Sequence, residues 1–199
     1  MELNEEIKIL KDKIFYIDDF LFPETCELLV SIFSNKNLVE SDKPGIFGSP
    51  GTAKGEDQIF DINGFSKTSN KNENKDINLG IDIFTGTLVS IEKTLSKIFN
   101  KNLVLKSYFY SHMKKGGKNP LHVDNYNEKY SKDYSAVLYL TNSYSGGELV
   151  FPKQDLIIKP NPGTLIAFIG SEDIPHGVEE VIDGNRVNII CFLNEKEKK

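Results

Sequence analysis

Leu121-His122-Val123-Asp124-Asn125 sets an imidazole and a carboxylate two residues apart. In an extended strand, residues i and i+2 point to one face, so His122 and Asp124 project into the same space. A facial metal site of two imidazoles and one carboxylate then lacks only a second histidine. The chain has three histidines, and His176, in Ile174-Pro175-His176-Gly177-Val178, stands 54 positions after His122 (176 − 122). Several short strands fit into that interval, so a double-sheet fold would return His176 to the His-x-Asp pair. A plainer reading stands beside this one. Asp124 and Asn125 can cap a turn with their short polar side chains, and a histidine before glycine can be a hydrogen-bonding turn residue.

Arg186 bears on the choice. It lies ten positions after His176 (186 − 176) and opens an otherwise apolar strand, Val187 to Leu193. Pointing inward, it would need an anionic partner, because a buried unpaired charge is very costly. Its planar fork suits a carboxylate held by two parallel hydrogen bonds. Pointing outward, it is a surface charge at the start of a strand. Tyr139, in Ala136-Val137-Leu138-Tyr139-Leu140, would add a phenolic donor to the same anion or else pack in the core.

The rest of the chain predicts a frame for such a site. Residues up to Lys13 read as a short amphipathic helix or a frayed arm, followed by a strand over Ile14-Phe15-Tyr16-Ile17. Phe22-Pro23-Glu24 opens a helix, with proline in the first turn and glutamate at the positive end. Leu28, Leu29, Ile32 and Phe33 form its buried face. From about 35 to 78 the chain is turn-rich and polar, which fits either a surface insertion or a lid, the segment 42–78 above all. Ile81, Phe84, Leu88, Ile91, Leu95 and Ile98 then predict a core-packing helix over Leu79 to Asn100. Short strands punctuated by Gly116-Gly117, Gly146-Gly147, Asn161-Pro162-Gly163 and Asp183-Gly184 follow. Helices first and many short strands afterwards predict an α+β fold. Its strands would form a two-sheet barrel or jelly roll.

At 199 residues and 39% hydrophobic content, the chain is sized for one domain. A net charge of −5 and the pI near 5.3 argue against nucleic acid and acidic membranes as partners. Lys114, Lys115 and Lys118 read as a solvated loop or an anion contact. Cys26 and Cys191 lack metal-ligand spacing and are expected to be a reduced pair. Met1 to Glu6 is acidic without a signal-peptide core, and no run approaches the roughly 18 apolar residues of a membrane span. A cytoplasmic protein is the expectation.

From Leu103 to Leu193 the chain resembles the 2-oxoglutarate- and Fe(II)-dependent dioxygenases, in their prolyl 4-hydroxylase-like branch. The likeness rests on several pieces in family order. They are His122-Val123-Asp124-Asn125, Leu138 to Asn142, Gly146 to Phe151, Pro162 to Phe168, Pro175-His176-Gly177-Val178 and Gly184-Asn185-Arg186. Phe20 to Cys26 also resembles the family's opening helix. The resemblance implies one oxygenase domain over 1–199. Residues 1–102 would be helical and loop-rich, and 103–193 would be a double-stranded β-helix (jelly-roll) core with the N-terminal helices on one sheet.

By the same resemblance, His122, Asp124 and His176 bind Fe(II), and Arg186 and Tyr139 hold the distal carboxylate of 2-oxoglutarate. A further cosubstrate tyrosine is expected on the strand before the His-x-Asp. Tyr110 is the choice there, with Tyr108 and His112 on its face. The implied reaction consumes O2 and 2-oxoglutarate, releases succinate and CO2, and hydroxylates a substrate C–H, with ascorbate as reductant. A peptidyl proline in a protein or peptide leads as substrate, ahead of a free amino acid or other small metabolite. A non-catalytic binding module on the same fold is the alternative of another class, as is a Zn or Mn protein with no oxo acid; Arg186 speaks against the last. The departures lie in the substrate region: the chain has no tryptophan, and 42–78 matches no prolyl-substrate lid. Asn188, Ile190 and Phe192 follow Arg186 with no second arginine, which argues against nucleobase repair.

Overall fold

The 3–4 spacing that begins near Ile81 does form the longest helix, and in the computed structural model it packs beside a shorter one on a large sheet. The structure describes residues 7–11, 13–33, 58–60, 75–125 and 133–196. In chain order the elements are β1 (Ile7–Lys11), β2 (Ile14–Ile17), α1 (Pro23–Phe33), β3 (Gln58–Phe60), α2 (Lys75–Phe99), β4 (Leu103–Lys114) and β5 (Asn119–His122). They continue with β6 (Tyr134–Tyr139), β7 (Tyr144–Gly146), β8 (Leu149–Phe151), β9 (Leu156–Ile158), β10 (Leu165–Ile169), β11 (His176–Val178) and β12 (Val181–Glu195).

α2 ends where polar residues replace its apolar stripe. Asn100 takes a left-handed conformation (φ 52°), with Asn100 N–H donating to Lys97 O and Lys101 N–H to Ser96 O. Those two bonds are the Schellman pattern that closes helices. α1 buries Cys26, Leu29, Ile32 and Phe33, while Leu28 remains 37% exposed. The expected apolar face is therefore rotated: Cys26 belongs to it and Leu28 does not.

The larger sheet has the order β1-β2-β10-β6-β12-β4-β3, with β7 paired to β12, and the smaller one is β5-β11-β8-β9. Side chains alternate across the larger sheet, so its pairing register assigns each residue to a face. Ile189 lies opposite both Leu138 and Tyr110. Together with Ala136, Leu165, Ala167, Val187 and Cys191, these residues meet Phe33, Phe84, Leu88, Ile91 and Leu95 of the helices. On the opposite face, Val137, Tyr139, Ile166 and Phe168 meet Leu149, Phe151 and Ile158 of the smaller sheet. β6 is covered from both sides, which is why all six of its residues are buried. This is the two-sheet jelly roll expected from the strand pattern and the double-stranded β-helix implied by the resemblance, with the two described helices on the outer face of one sheet. Each fully buried side chain of α2, such as Phe84 or Ile91, contributes about 1.5–3 kcal/mol.

Two expectations change. The segment before Lys13 forms a strand where it is described, β1, paired antiparallel with β2 from Ile7↔Ile17 to Lys11↔Ile14. Backbone pairing to the edge of β2 outweighs a weak helical pattern there. The lid reading of 42–78 falls outside the described residues, apart from β3, which pairs with β4, and the first residues of α2. Cys26 and Cys191 are buried and free. Among the described residues, no helix is long and apolar enough to cross a membrane.

Candidate metal centre and anion pocket

β5 and β11 run antiparallel, with His176 directly opposite His122 and the ring centroids 4.5 Å apart. β5 ends at His122, and the chain bends so that Asp124 turns back under both rings. Asp124 Oδ1 is 3.6 Å from His122 Nε2, and Oδ2 is 3.5 Å from His176 Nε2. One donor atom from each of the three lies within 4.8 Å of the others. The tautomers follow from the neighbours. His122 Nδ1 is 2.8 Å from Pro120 O and His176 Nδ1 is 3.3 Å from Ile174 O. Carbonyls only accept, so each Nδ1–H donates and each Nε2 faces the carboxylate: protonated, it interacts favourably with Asp124, and deprotonated, it offers its lone pair to a metal.

Two nitrogen donors and one carboxylate oxygen gathered in this way suit a divalent iron that keeps open positions. The rings of Phe151 and Phe168 flank His176, with centroids at 5.8 and 4.6 Å, and fix its orientation. Side-chain exposure is 24% for His122 against 8% for His176 and 4% for Asp124, so the site opens on the His122 side. Burial works to raise the Asp124 carboxyl. The His122 hydrogen bond, the His176 charge and the Ser135 hydroxyl outweigh burial and hold it below its ordinary value. Ser135, on β6, donates from Oγ to Asp124 Oδ2 at 2.5 Å. The sequence offered one signal for Ser135: it sits at i−4 from Tyr139, on the same strand face.

Arg186 is 1% exposed and points between the sheets. Its Nε donates to Gly147 O at 3.0 Å and its Nη2 to the Tyr139 hydroxyl at 3.0 Å. The guanidinium carbon lies 5.1 Å from the Tyr139 ring centroid. Both hydrogen-bond partners are neutral, and among the described residues no carboxylate comes within ion-pair distance of it. Burial raises the Tyr139 phenol and Arg186 opposes that shift. Gly147 has φ +67°, and a Cβ there would fall 3.1 Å from Arg186 Cδ and 3.2 Å from Tyr144 Cε2. Glycine thus gives the arginine its passage. Lys118, from the basic loop, makes a surface ion pair with Glu180 at 3.0 Å.

Tyr110 is not brought to this pocket. It pairs with Ile189 and packs edge-on to Phe33 at 5.4 Å, in the helix-facing core. Tyr108 and His112 share that strand face. The residues of β4 on the Arg186 side are Phe109, Ser111 and Met113, with Met113 directly across from Arg186. The pocket also holds two residues that the sequence pattern did not single out as contacts. Both carboxamide atoms of Asn188 are buried with no partner in hydrogen-bonding geometry, and the buried Tyr144 hydroxyl has only the nearby Arg186 as a polar neighbour that lowers its pKa against burial.

A cluster of two histidines and one aspartate that could hold a metal ion, and a buried arginine without a counter-ion among the described residues, share the interior of this double-stranded β-helix. Residues 108–194 match the 2OG-Fe(II) oxygenase superfamily. Over 67 residues the chain is 36% identical to human prolyl 3-hydroxylase 2, a stretch that covers 31% of this chain and 10% of that protein. Over 60 residues it is 37% identical to mouse prolyl 3-hydroxylase 3, covering 28% and 8%. The matched stretch is thus about a tenth of these relatives' length. Among solved structures, the viral collagen prolyl hydroxylase of Paramecium Bursaria Chlorella virus-1, in its 2OG complex, superposes with a TM-score of 0.61. Identity is 19%, over 93% of this chain and 97% of that one. A Pseudomonas putida prolyl-4-hydroxylase gives 0.60 at 16% identity, over 93% and 94%. At such identities the structural likeness speaks for the fold.

Proposed function

We propose that this chain is a 2-oxoglutarate- and Fe(II)-dependent oxygenase, a single domain over 1–199, that hydroxylates a prolyl residue of a peptide or protein. The observation that carries the cosubstrate is Arg186, a buried cation whose neighbours are a phenol and a carbonyl. A buried charge without a counter-ion is expensive, and a dicarboxylic oxo acid would supply the missing anion.

In this reading His122 and His176 hold the metal through Nε2, and Asp124 through a carboxylate oxygen. Arg186 and Tyr139 would hold the distal carboxylate of the oxo acid. Bound iron and 2-oxo acid, with O2, supply the oxidising power to hydroxylate a C–H bond, releasing succinate and CO2. The protein's share is to position the reactants and keep water out. Phe151 and Phe168 close the inner side beside His176, and the substrate approaches from the open His122 side. Ascorbate as reductant belongs to the same reading. The prolyl substrate is supported by the named activities of the relatives in sequence and in fold. Those names include both 3- and 4-hydroxylation, so both products belong in the assay.

The test is anaerobic titration of Fe(II)-loaded protein with 2-oxoglutarate, followed by O2. A visible charge-transfer band and then succinate are expected; no band and no binding would remove the oxo acid. Incubation with a proline-containing peptide library, read by a mass gain of one oxygen and by 3- against 4-hydroxyproline in the product, tests the substrate. Oxygenated free proline with no oxygenated peptide would overturn the peptidyl assignment.

A further inference from the structure

The outer face of the helical layer carries a cleft of about 280 Å3 between the Phe20–Phe22 turn and Ile83, Gly86 and Ser90 of α2. Gly80 meets Ile32 and Phe33 at the end of α1, while Ile83 to Ser90 border Phe22 at its start, so the two helices run antiparallel. A Cβ built on Gly86 would meet nothing within 4 Å, so packing among the described residues does not require glycine there. Glycine is nonetheless unfavourable in a helix interior. Thr87 and Ser90 donate their hydroxyls to Ile83 O and Gly86 O at 2.8 and 3.1 Å, which satisfies the polar groups of the cleft floor. Phe22 stands 54% exposed on the rim, and Leu28, Leu79 and Val89 are exposed on the same two helices. An apolar knob thus lies beside an open notch on one surface.

Charge is divided along that surface. Lys93 and Lys97 lie seven and eleven residues beyond Gly86 (93 − 86 and 97 − 86). At about 100° per residue they share its face of α2, about 10 and 16 Å along the axis. In the other direction lie Asp82 on α2 and Glu24 and Glu27 on α1. All five are exposed, and among the described residues none pairs with an opposite charge. We propose that this cleft is the centre of a two-fold interface between two copies of this chain. A two-fold axis through the cleft exchanges its ends. It lays the basic end of one copy on the acidic end of the other and sets each Phe22 into the opposite Gly86 notch, so shape and charge are both self-complementary. The face lies across the larger sheet from the metal centre, and pairing leaves both centres accessible. Four exposed apolar side chains per copy make a small contact, of the weak and transient kind.

The experiment is sedimentation velocity of the full chain over a concentration series. Wild type is expected to pass from monomer to dimer with a Kd of about 10–100 µM. Gly86→Gln fills the notch and improves helix propensity. Its dimerisation is expected to weaken by about tenfold or more, while its thermal midpoint in dilute solution holds or rises. Lys93→Glu with Lys97→Glu, and separately Glu27→Lys with Asp82→Lys, set like charges against each other and are each expected to abolish the dimer. Mixed in equal amounts, these two charge-reversed proteins meet with opposite charges at both ends and are expected to form a heterodimer, which misfolded variants could not do. Wild type that stays monomeric up to about 1 mM overturns the proposal. So does a dimer that Gly86→Gln leaves unchanged, or charge-reversed proteins that fail to pair on mixing. A monomer in which Gly86→Gln lowers the thermal midpoint would assign the cleft to another part of the same chain, and it too overturns the pairing.

Discussion

Ser135 Oγ donates a 2.5 Å hydrogen bond to Asp124 Oδ2, tying the central strand of the larger sheet to the carboxylate between the two histidines. Both groups are buried, and a hydroxyl–carboxylate bond of this length is charge-assisted and strong. It stops rotation of the carboxylate and keeps an oxygen aimed at the Nε2 pair. Ser135→Ala is expected to weaken Mn(II) or Fe(II) binding by about 10–100-fold. It should also lower unfolding stability by about 1–3 kcal/mol, because Asp124 loses a buried donor. Ser135→Thr restores a hydroxyl and most of the affinity. A metal titration of the three proteins checks this, and equal affinity in all of them would remove Ser135 from the site.

Arg186→Met separates the two halves of the pocket. The side chains are comparable in length, and replacing a buried charge that lacks a counter-ion by an apolar chain is commonly neutral or stabilising. The variant should therefore fold with an undiminished thermal midpoint and bind metal within about threefold of wild type. Its 2-oxoglutarate affinity should fall by about two orders of magnitude, as for other lost buried charge contacts. Parallel loss of metal and oxo-acid binding would instead make Arg186 a structural residue.

That His122, Asp124 and His176 meet, and that Arg186 is buried, was legible because their chemistry is rare in this chain and their spacing is tied to strand geometry. Even there the route differed in detail: β5 stops at His122, and a bend rather than strand pleating carries Asp124 to the rings. The helix over α2 was legible from its 3–4 stripe. Tyr110 was not, because β4 carries aromatics on both faces, with Tyr108 and Tyr110 on one and Phe109 on the other. Only its register with β12 says which face meets the pocket, and a slip of one residue would exchange them. Ser135, Tyr144 and Asn188 were hidden for a related reason. Polar side chains within or beside apolar strands gain meaning only when their neighbours across the sheets are known.

That register gives a direct test. Tyr110 faces the helices, so Tyr110→Phe should leave 2-oxoglutarate affinity within about twofold of wild type. Tyr139→Phe removes the hydroxyl that accepts from Arg186 Nη2. It should weaken 2-oxoglutarate binding about tenfold, in line with one hydrogen bond to a charged group. Calorimetric titration of both variants decides the matter, and the opposite ranking would place Tyr110 in the pocket.

Gly147 joins backbone geometry to the anion pocket. Its φ of +67° is costly for any residue with a Cβ, and a methyl there would press on Arg186 Cδ, Val181 Cγ2 and Tyr144 Cε2 at 3.1–3.2 Å. Its carbonyl also anchors Arg186 Nε. Gly147→Ala is expected to lose about 1–3 kcal/mol of stability from backbone strain and, by displacing the guanidinium, to weaken 2-oxoglutarate binding while metal affinity holds. Gly116→Ala is the matched control. Gly116 has φ +84°, but nothing lies within 4 Å of a Cβ placed there. It should show the strain cost alone, with oxo-acid binding unchanged. Denaturant unfolding and calorimetry on the two variants separate the effects, and equal oxo-acid affinity in both would show that the Arg186 side chain has room to spare.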